Sequence, residues 1–483
     1  MAHRIWGDAP LGYHLLNIFL HAFSAVVLLR ILRRLEVPGA PLAAALFAFH
    51  PVQVESVAWM SELKNTLSGL FCLGAALAYL HFSLNKKRRA IFYALSLLLF
   101  VMAILSKAVV ATLPAALLVI LWWKRGKLWR TDIVSLAPFF LIGAGFGIFS
   151  AWMERNVVGA IGRDFQFSFI DRILIAGRVI WFYLGKLLWP NPLIFNYPRW
   201  QIRHDVWWQY LFPLTAAALL AVMWWHRKRH PALLAAFLLF SGTLFPALGF
   251  LDVYPFRYSF VADHFQYMAC IAPLTLVAAG ATKTLEKIPA IGGFILVSVL
   301  AVMSWQQAHM YSDILVLWRT TIDRNPDSWM AHTNLGAELD DLGRSDEAMA
   351  EYQTALRINP NEAMARNNLG MSLAQRGHVS EAIADWEEVL RFDPNHAEAH
   401  NNLGNALAQM GRLPEAIEHW NKALKVKPDF AEAHFNYAVA LANAGRFSEA
   451  ADHYEQVLRL HPEDVDARRG LEFARKQLHG DLK

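Results

Sequence analysis

Long apolar stretches separated by short polar segments dominate the chain from Tyr13 to about Gln306. A helix needs about 20 apolar residues to cross the hydrocarbon layer, and only a helix pairs all of its backbone amides there. The pattern therefore predicts about ten membrane-spanning helices. They are placed near 12–32, 40–58, 64–83, 90–106, 108–123, 133–152, 208–226, 232–250, 267–283 and 289–306. The second is interrupted at His50-Pro51, which predicts a short helix that breaks at the interface.

Basic residues cluster in every second loop between these stretches. The clusters lie at 30–34, 86–89, 124–130, 227–229 and 283–287, and they contain few acidic residues. Short loops rich in Lys and Arg stay on the cytoplasmic side of a membrane. These loops are therefore predicted to be cytoplasmic, at the plasma or inner membrane if the chain is bacterial. The alternate loops and the region after residue 306 are predicted to be extracytoplasmic.

One apolar segment, 173–189, does not fit this alternation. It is apolar enough to span, but it contains Arg178 and Lys186, and a crossing there would move the cluster at 227–229 to the outside. We interpret it as a re-entrant or interfacial helix on the outer face. The alternative is a true crossing with a miscounted neighbour.

The last third of the chain repeats every 34 residues, with proline, glycine, alanine and an aromatic residue in register. The positions are Pro326, Pro360, Pro394, Pro428 and Pro462; Gly343, Gly377, Gly411 and Gly445; Ala348, Ala382, Ala416 and Ala450; and Tyr352, Trp386, Trp420 and Tyr454. This order resembles the tetratricopeptide repeat (TPR), a pair of antiparallel helices that stacks into a solenoid. The pattern predicts a linker at 307–326, four repeats at 327–462, and a capping helix with a tail at 463–483.

One asparagine in each repeat forms a column along the predicted solenoid. Its members are Asn334, Asn368, Asn402 and Asn436. The first helix of each TPR lines the concave groove, where side-chain amides can hydrogen-bond the backbone of an extended peptide. These residues are therefore candidates for binding a protein partner, and they resemble the asparagine ladder of the O-linked N-acetylglucosamine transferase repeats. The alternative is that asparagine is common here and serves contacts between helices.

Charge and cysteine content exclude several classes of protein. The net charge of +5 combines a basic region, 1–314, with an acidic one, 315–483, so the high pI does not indicate a nucleic-acid-binding surface. The two cysteines, Cys72 and Cys270, lie in apolar runs. They exclude a disulfide framework and a CxxC-type metal site, and no metal is predicted.

Six short motifs follow one another in the apolar region. They lie at 12–17 with His21, 50–59, 62–65, 105–107 with Pro114, 196–200 and 260–267. In this order and followed by TPRs, they resemble the membrane-plus-TPR proteins related to protein O-mannosyltransferases, in the GT-C superfamily. The resemblance covers essentially the whole chain and implies an all-α fold, with a GT-C-like polytopic bundle at 1–306 before the TPR solenoid. In such families a further helix and an acidic outer loop precede the Tyr13 segment. We therefore expect either additional upstream sequence or a chain that is inactive as it stands.

The resemblance implies transfer of a sugar from a polyprenyl-phosphate donor to a protein hydroxyl at an extracytoplasmic site, with no cofactor. A hydroxyl nucleophile needs a base. The outward-facing acids Glu55, Glu62 and Asp263 suit this role, and Asp263 and Glu55 are the catalytic candidates. The donor-binding candidates are cations for the phosphate and aromatic or polar rings for the sugar: Lys107, Arg178, Arg199, His50, Tyr197 and Tyr267. Simpler roles stay open. In these, Lys107 and Arg178 only snorkel to the interface, His50 only breaks a helix, and Asp263 only pairs with Arg257.

Two other functions are compatible with the sequence. A non-catalytic membrane anchor whose TPRs assemble envelope proteins is the main alternative to the transferase. A transporter fits less well, because intramembrane charges are few and no inverted repeat is visible.

Overall fold

A computed structural model describes residue 7 and residues 10–84, 89–284 and 289–480. Its elements are helices, and no β-strand occurs in these ranges, which confirms the all-α prediction. The chain divides into two compact units, Met1–Pro326 and Asp327–Lys483. The predicted cytoplasmic residues 86–88 and Lys287 lie outside the described residues.

The first unit contains thirteen α-helices in its described part. They are α1 Pro10–Arg34, α2 Ala40–Phe49, α3 Val54–Ala58, α4 Leu63–Leu84, α5 Arg89–Ser106, α6 Leu113–Arg125, α7 Arg130–Met153, α8 Phe169–Leu188, α9 Leu211–Trp225, α10 Pro231–Leu244, α11 Ile271–Thr284, α12 Pro289–Ala308 and α13 Ile314–Arg324. Short 3₁₀ turns connect several of them, and two of these, Pro51–Gln53 and Asp263–Gln266, position the candidate site.

Five of the described helices are long and apolar enough to cross a membrane. They are Pro10–Arg34, Met60–Leu84, Ala108–Arg125, Arg130–Val158 and Ile291–Tyr311. Four shorter apolar helices are Ala40–Phe49, Ala90–Ser106, Pro231–Ala247 and Ile271–Lys283. Nine of the ten predicted crossings overlap with one of these helices, and the tenth overlaps with α9. The protein is therefore a membrane protein, and the number of helices that cross stays a prediction.

The break after α2 has a local cause. A residue before proline avoids the helical conformation, and His50 is extended, with φ −73° and ψ 131°. Pro51 then begins the turn Pro51–Gln53, where the Val52 N–H donates to His50 Nδ1 at 3.4 Å. Helix α3 therefore starts only at Val54, and this short helix carries Glu55.

Two apolar cores hold the first unit together. Helices α1, α2, α4, α5, α6, α7 and α11 contribute to one core, which includes Phe47, Tyr79 and Phe139. Helices α8, α9 and α10 pack around Ile175 in the other. Helices α8 and α9 approach closely at Gly177, where an added Cβ would lie 2.4 Å from the backbone nitrogen of Pro213. The predicted segment 173–189 falls almost wholly within α8, and its interfacial position stays a prediction.

The second unit is a row of helix pairs. The helices are α14 Trp329–Asp341, α15 Ser345–Ile358, α16 Ala363–Gln375, α17 Val379–Phe392, α18 Ala397–Gln409, α19 Leu413–Val426, α20 Ala431–Asn443, α21 Phe447–Leu460 and α22 Val465–Gly480. In each of the first three pairs, the two helices meet where a glycine of the first helix packs against an aromatic ring of the second. At Gly404, for example, an added Cβ would lie 2.9 Å from Trp420 Nε1. A left-handed glycine such as Gly411, with φ 78°, then turns the chain between the two helices.

The last pair differs from the other three. Ala438 replaces the glycine, and the ring of Tyr454 instead meets Gly470 of α22, where an added Cβ would lie 2.4 Å from Tyr454 Cζ. Helix α22 buries Ala467 and Ala474 in the same core. The helix pairs and the final helix have the solenoid architecture predicted from the repeats.

Candidate functional site

A polar cluster lies where α3 meets the 3₁₀ turn Asp263–Gln266. Glu55 is buried and accepts two hydrogen bonds from His264. The His264 backbone N–H donates to Oε2 at 2.8 Å, and the imidazole Nδ1 donates to Oε1 at 2.9 Å. Because Nδ1 carries this proton, Nε2 is the lone-pair nitrogen of the neutral ring. Glu55 therefore fixes both the orientation and the tautomer of His264.

Asp263 has a different surrounding from Glu55. Its side chain is 2% exposed, and the Tyr197 hydroxyl lies 3.1 Å and 3.2 Å from its two carboxylate oxygens, to which it donates. Burial, and next the charge of Glu55, raise the pKa of Asp263 well above its usual range, against the opposing effects of Tyr197 and Lys186. The fold therefore favours a protonated carboxyl group at Asp263 beside Glu55.

Helix α8 presents two cations on one face, Arg178 and Lys186, with Phe182 between them. The Arg178 guanidinium lies 4.3 Å from the ring centroid of Trp200. Lys186 Nζ lies 5.3 Å from the ring centroid of Tyr197 and donates to the Pro192 carbonyl. In the described ranges neither cation forms an ion pair, and Arg178 has no hydrogen-bond acceptor. This face combines unneutralised positive charge with aromatic rings.

The other two predicted cations already have acidic partners. Lys107 Nζ donates to the buried Glu62 at 2.9 Å, and Lys64 pairs with the same carboxylate at 3.2 Å. Burial lowers the pKa of Lys107, and the charge of Glu62 opposes this shift. Arg199 donates to the Asp164 carboxylate at 3.2 Å and to two backbone carbonyls. Lys107 and Arg199 are thus less available to an anionic ligand than Arg178 and Lys186.

Two predicted donor-binding side chains lie in the interior. His50 Nε2 donates to the Leu187 carbonyl at 3.1 Å, which joins the end of α2 to the end of α8. The Tyr267 hydroxyl lies 2.9 Å from His21 Nδ1, and its ring packs against Phe47. Both side chains are buried and their polar atoms have protein partners. Their predicted contact with the donor stays a prediction.

An apolar cavity of about 720 Å³ lies between α1, α4, α6, α10 and α11. It extends along α6 from Leu113 to Lys124 and along α11 from Ile271 to Lys283. Asn65 lines it too, and the Asn65 side-chain amide donates to the His264 carbonyl at 2.9 Å. The cavity therefore borders the polar cluster that contains Glu55 and His264.

The asparagine column of the second unit is half-buried and partly occupied by contacts within the solenoid. Asn402 Nδ2 donates to Asn367 Oδ1 at 2.9 Å, and Asn436 Nδ2 donates to Asn401 Oδ1 at 3.2 Å. Both bonds join neighbouring repeats. The remaining two members bond elsewhere: Asn334 donates to the Met330 carbonyl at 2.8 Å, and Asn368 donates to the Tyr352 hydroxyl at 3.5 Å. Each amide group keeps a second N–H that these bonds do not use.

Sequence reasoning assigned no role to two residues that the structure places at this site, His264 and Lys186, whereas it considered Glu62 as a possible base. His264 directly follows Asp263, and Lys186 lies eight residues after Arg178, which places both cations on one helical face. These two signals were available in the sequence. The pairing of Glu62 with Lys107 was not, since 45 residues separate them.

Models of the tetratricopeptide repeat match the second unit. A model described as "TPR repeat" matches residues 336–377 and 371–411, and one described as "Tetratricopeptide repeat" matches residues 403–465. These matches confirm the repeats that were predicted from the 34-residue period.

Curated relatives match a limited part of the chain. The chain is 39% identical over 71 residues to the protein O-mannosyl-transferase TMTC3 of Mus musculus, and 32% identical over 113 residues to Tmtc1 of Drosophila melanogaster. These matches cover 14% and 23% of this chain, but only 8% and 13% of the two relatives. The chain is therefore similar to protein O-mannosyl-transferases over short segments.

Solved TPR structures are also similar to part of the chain. The peptide-binding TPR protein YrrB is 22% identical, with a TM-score of 0.28 over 32% of this chain and 81% of YrrB. The Thermus thermophilus TPR protein TTC0263 is 22% identical, with a TM-score of 0.30 over 37% of this chain and 94% of its own. Together with the family models, the helix pairs identify residues 336–465 as tetratricopeptide repeats.

Proposed function

We propose that the chain is an integral-membrane glycosyltransferase. It transfers a sugar from a polyprenyl-phosphate donor to a hydroxyl group of a protein that its TPRs recruit. The partial similarity to O-mannosyl-transferases supports this reaction class. The contacts within the candidate site support the roles that we propose for its residues. Asp263 and Glu55 are the acidic residues of the catalytic centre.

The observation that carries the proposal is the contact chain from Arg178 to Asp263. Arg178 stacks on Trp200, the Trp200 ring lies 5.8 Å from Phe182, and Phe182 lies 4.9 Å from Tyr197, which donates to Asp263. Guanidinium and ammonium groups bind phosphate, and aromatic rings stack on the apolar face of a sugar. In the proposed site, the cation would bind the phosphate and the aromatic rings would stack on the sugar. The buried carboxyl group would belong to the catalytic centre beside them.

The apolar cavity supports a lipid-linked donor in particular. Its lining is mostly aliphatic, and its volume of about 720 Å³ is within the range of ligand-binding cavities. The prenyl chain would occupy the space between α6 and α11. Asn65, Glu55 and His264 would then lie near the polar end of the lipid.

The test is transfer from a polyprenyl-phosphate sugar to a co-expressed acceptor protein, with the chain in membranes. Arg178→Ala should raise the donor KM about tenfold or more, and Arg178→Lys should also be impaired, because lysine cannot form the bidentate contact. Asp263→Asn should lower transfer without loss of folded protein. Arg203→Ala is the matched control, because Arg203 is exposed and pairs with the exposed Asp205. Normal donor KM in Arg178→Ala would contradict the assignment of the donor site.

Recruitment of the acceptor is proposed for the groove of the repeats. Replacing both Asn368 and Asn402 by alanine should weaken binding of a captured partner, by about 0.5–1.5 kcal/mol for each hydrogen bond lost. Because Asn402 also bonds to Asn367, helical content must be measured in the same variant. Unchanged affinity would mean that the column serves contacts between repeats only. Partner binding without any sugar transfer would favour the membrane-anchored scaffold.

A further inference from the structure

His264 makes the hydrogen bonds that are typical of a histidine that accepts a proton. Its backbone N–H and its Nδ1 both donate to Glu55, at 2.8 Å and 2.9 Å. Nε2 has no hydrogen-bond partner among the described residues, and the side chain is 13% exposed. A carboxylate that binds Nδ1–H sets the tautomer with a basic Nε2 and stabilises the imidazolium formed when Nε2 takes up a proton.

Aromatic rings limit the movement of this imidazole. The Trp59 ring centroid lies 6.0 Å from that of His264, and Phe265 lies at 4.6 Å, both near edge-to-face. Trp59 is itself packed edge-on against Phe195, with the two ring centroids 4.9 Å apart. The ring of His264 is therefore positioned on one edge by Glu55 and along its sides by apolar groups, while Nε2 stays available.

Asp263 is less accessible than His264 for the same task. Both of its carboxylate oxygens accept from the Tyr197 hydroxyl, and only 2% of the residue is exposed. A hydroxyl substrate would have to displace Tyr197 to reach Asp263. Contact with Nε2 of His264 requires no such displacement.

We propose that His264 Nε2 is the group that accepts the proton of the acceptor hydroxyl, with Glu55 as the positioning residue that acts through it. This inference rests on the proposed transferase function. The hydroxyl proton moves to Nε2, and the hydroxyl oxygen bonds to the anomeric carbon of the sugar. The bond between that carbon and the phosphate oxygen breaks, and the polyprenyl phosphate leaves with the electron pair. The imidazolium then returns its proton to water.

The test compares transfer by the wild-type chain and by His264→Asn. Asparagine keeps a side-chain N–H for Glu55 but lacks Nε2, so kcat should fall about 10²- to 10⁴-fold while the donor KM stays the same. In His264→Ala, added imidazole should restore part of the lost rate, which a merely structural role would not allow. Glu55→Gln should lower kcat at unchanged donor KM. His204→Asn is the control, because His204 is an exposed histidine that also pairs with a carboxylate, that of Asp171.

The outcomes separate this inference from the proposed function. If the wild-type chain transfers sugar and His264→Asn does so at a similar rate, His264 is not the proton acceptor and the transferase function stands. If imidazole fails to rescue His264→Ala while folded protein is recovered, the inference is also wrong. If the wild-type chain neither transfers sugar nor releases it from the donor to water, both the function and the inference fail.

Discussion

Asp263 and Glu55 show how two carboxyl groups in one cluster can differ. Glu55 accepts two hydrogen bonds from one residue, His264, whereas Asp263 accepts from the hydroxyl of Tyr197. The neutral hydroxyl offsets burial less well than a charged partner would, and the nearby Glu55 adds repulsion. The site thus separates a tightly bound carboxylate from a carboxyl group that favours its proton.

This difference predicts how stability changes with pH. A raised pKa in the folded state contributes stability below the unfolded value, about 3.9, and that contribution is lost as pH rises through the folded value. Asp263→Asn cannot ionise, so it should lose less stability than the wild type between about pH 5 and about pH 8. The loss in the wild type should approach about 1.4 kcal/mol for each unit of pKa shift crossed.

Denaturation of the detergent-solubilised chain at the two pH values measures this effect. Asp205→Asn is the control, because Asp205 is exposed and Arg203 lowers its pKa, so it is ionised throughout. An equal pH dependence in Asp263→Asn and the wild type would contradict the raised pKa of Asp263.

For single residues, the sequence predicted which residue types belong to the site better than it predicted which residues pair with one another. Asp263 and Glu55 were selected because a hydroxyl nucleophile needs a base, and Arg178 and Tyr197 because they suit a sugar phosphate. The structure links Arg178 to Tyr197 through aromatic contacts, and Tyr197 to Asp263 through a hydrogen bond. Lys107 was selected by the same reasoning, but its charge is met by a glutamate 45 residues away. Which cation is neutralised depends on long-range packing, and a single sequence does not contain that information.

The helices of the repeat unit depend on close contacts that tolerate little added volume. Gly470 illustrates this, because α22 lies against the ring of Tyr454 with no space for a Cβ. Gly470→Ala should destabilise the attachment of α22 by about 1–3 kcal/mol, the usual cost of overpacking. Hydrogen exchange of the full-length chain, followed in peptides from α21 and α22, should show faster exchange in the variant.

The neighbouring residue provides the control for this prediction. Arg469 is exposed on the outer side of α22 and pairs with Asp466 one turn earlier. Arg469→Ala should change stability by no more than about 0.5 kcal/mol. Equal exchange in Gly470→Ala and Arg469→Ala would show that α22 is not held by the contact with Tyr454.

The positions of the helices were easier to predict from the sequence than the contacts between the helices. The break at His50-Pro51 follows from proline geometry, and the repeat helices follow from a period of 34 residues. The role of α8 did not follow in the same way. Its composition left open a crossing or an interfacial helix. Its contact with α9, where Gly177 packs against Pro213, joins residues that lie more than 30 positions apart in the chain.

At the scale of the whole molecule, the alternating basic loops predict where each end of the chain lies. Single cysteines at Lys127 and Asn361, in a background with Cys72 and Cys270 replaced by alanine, test this orientation. Both positions are exposed, and both native cysteines are buried. An impermeant thiol reagent applied to intact cells should label the cysteine at Asn361 and not the one at Lys127. The opposite pattern would show that the orientation is inverted.

The hydrogen bonds between asparagines of neighbouring repeats determine where an additional repeat would preserve the contacts of the array. Asn402 and Asn436 each reach back to the preceding repeat, where Asn367 and Asn401 accept the bond. The last repeat has Phe435 at the accepting position. Duplication of an internal unit, such as 395–428, would therefore reproduce every junction of the ladder. A further unit appended after the last repeat would find no amide at that position, so its junction would lack this bond, as the junction between the first two repeats already does.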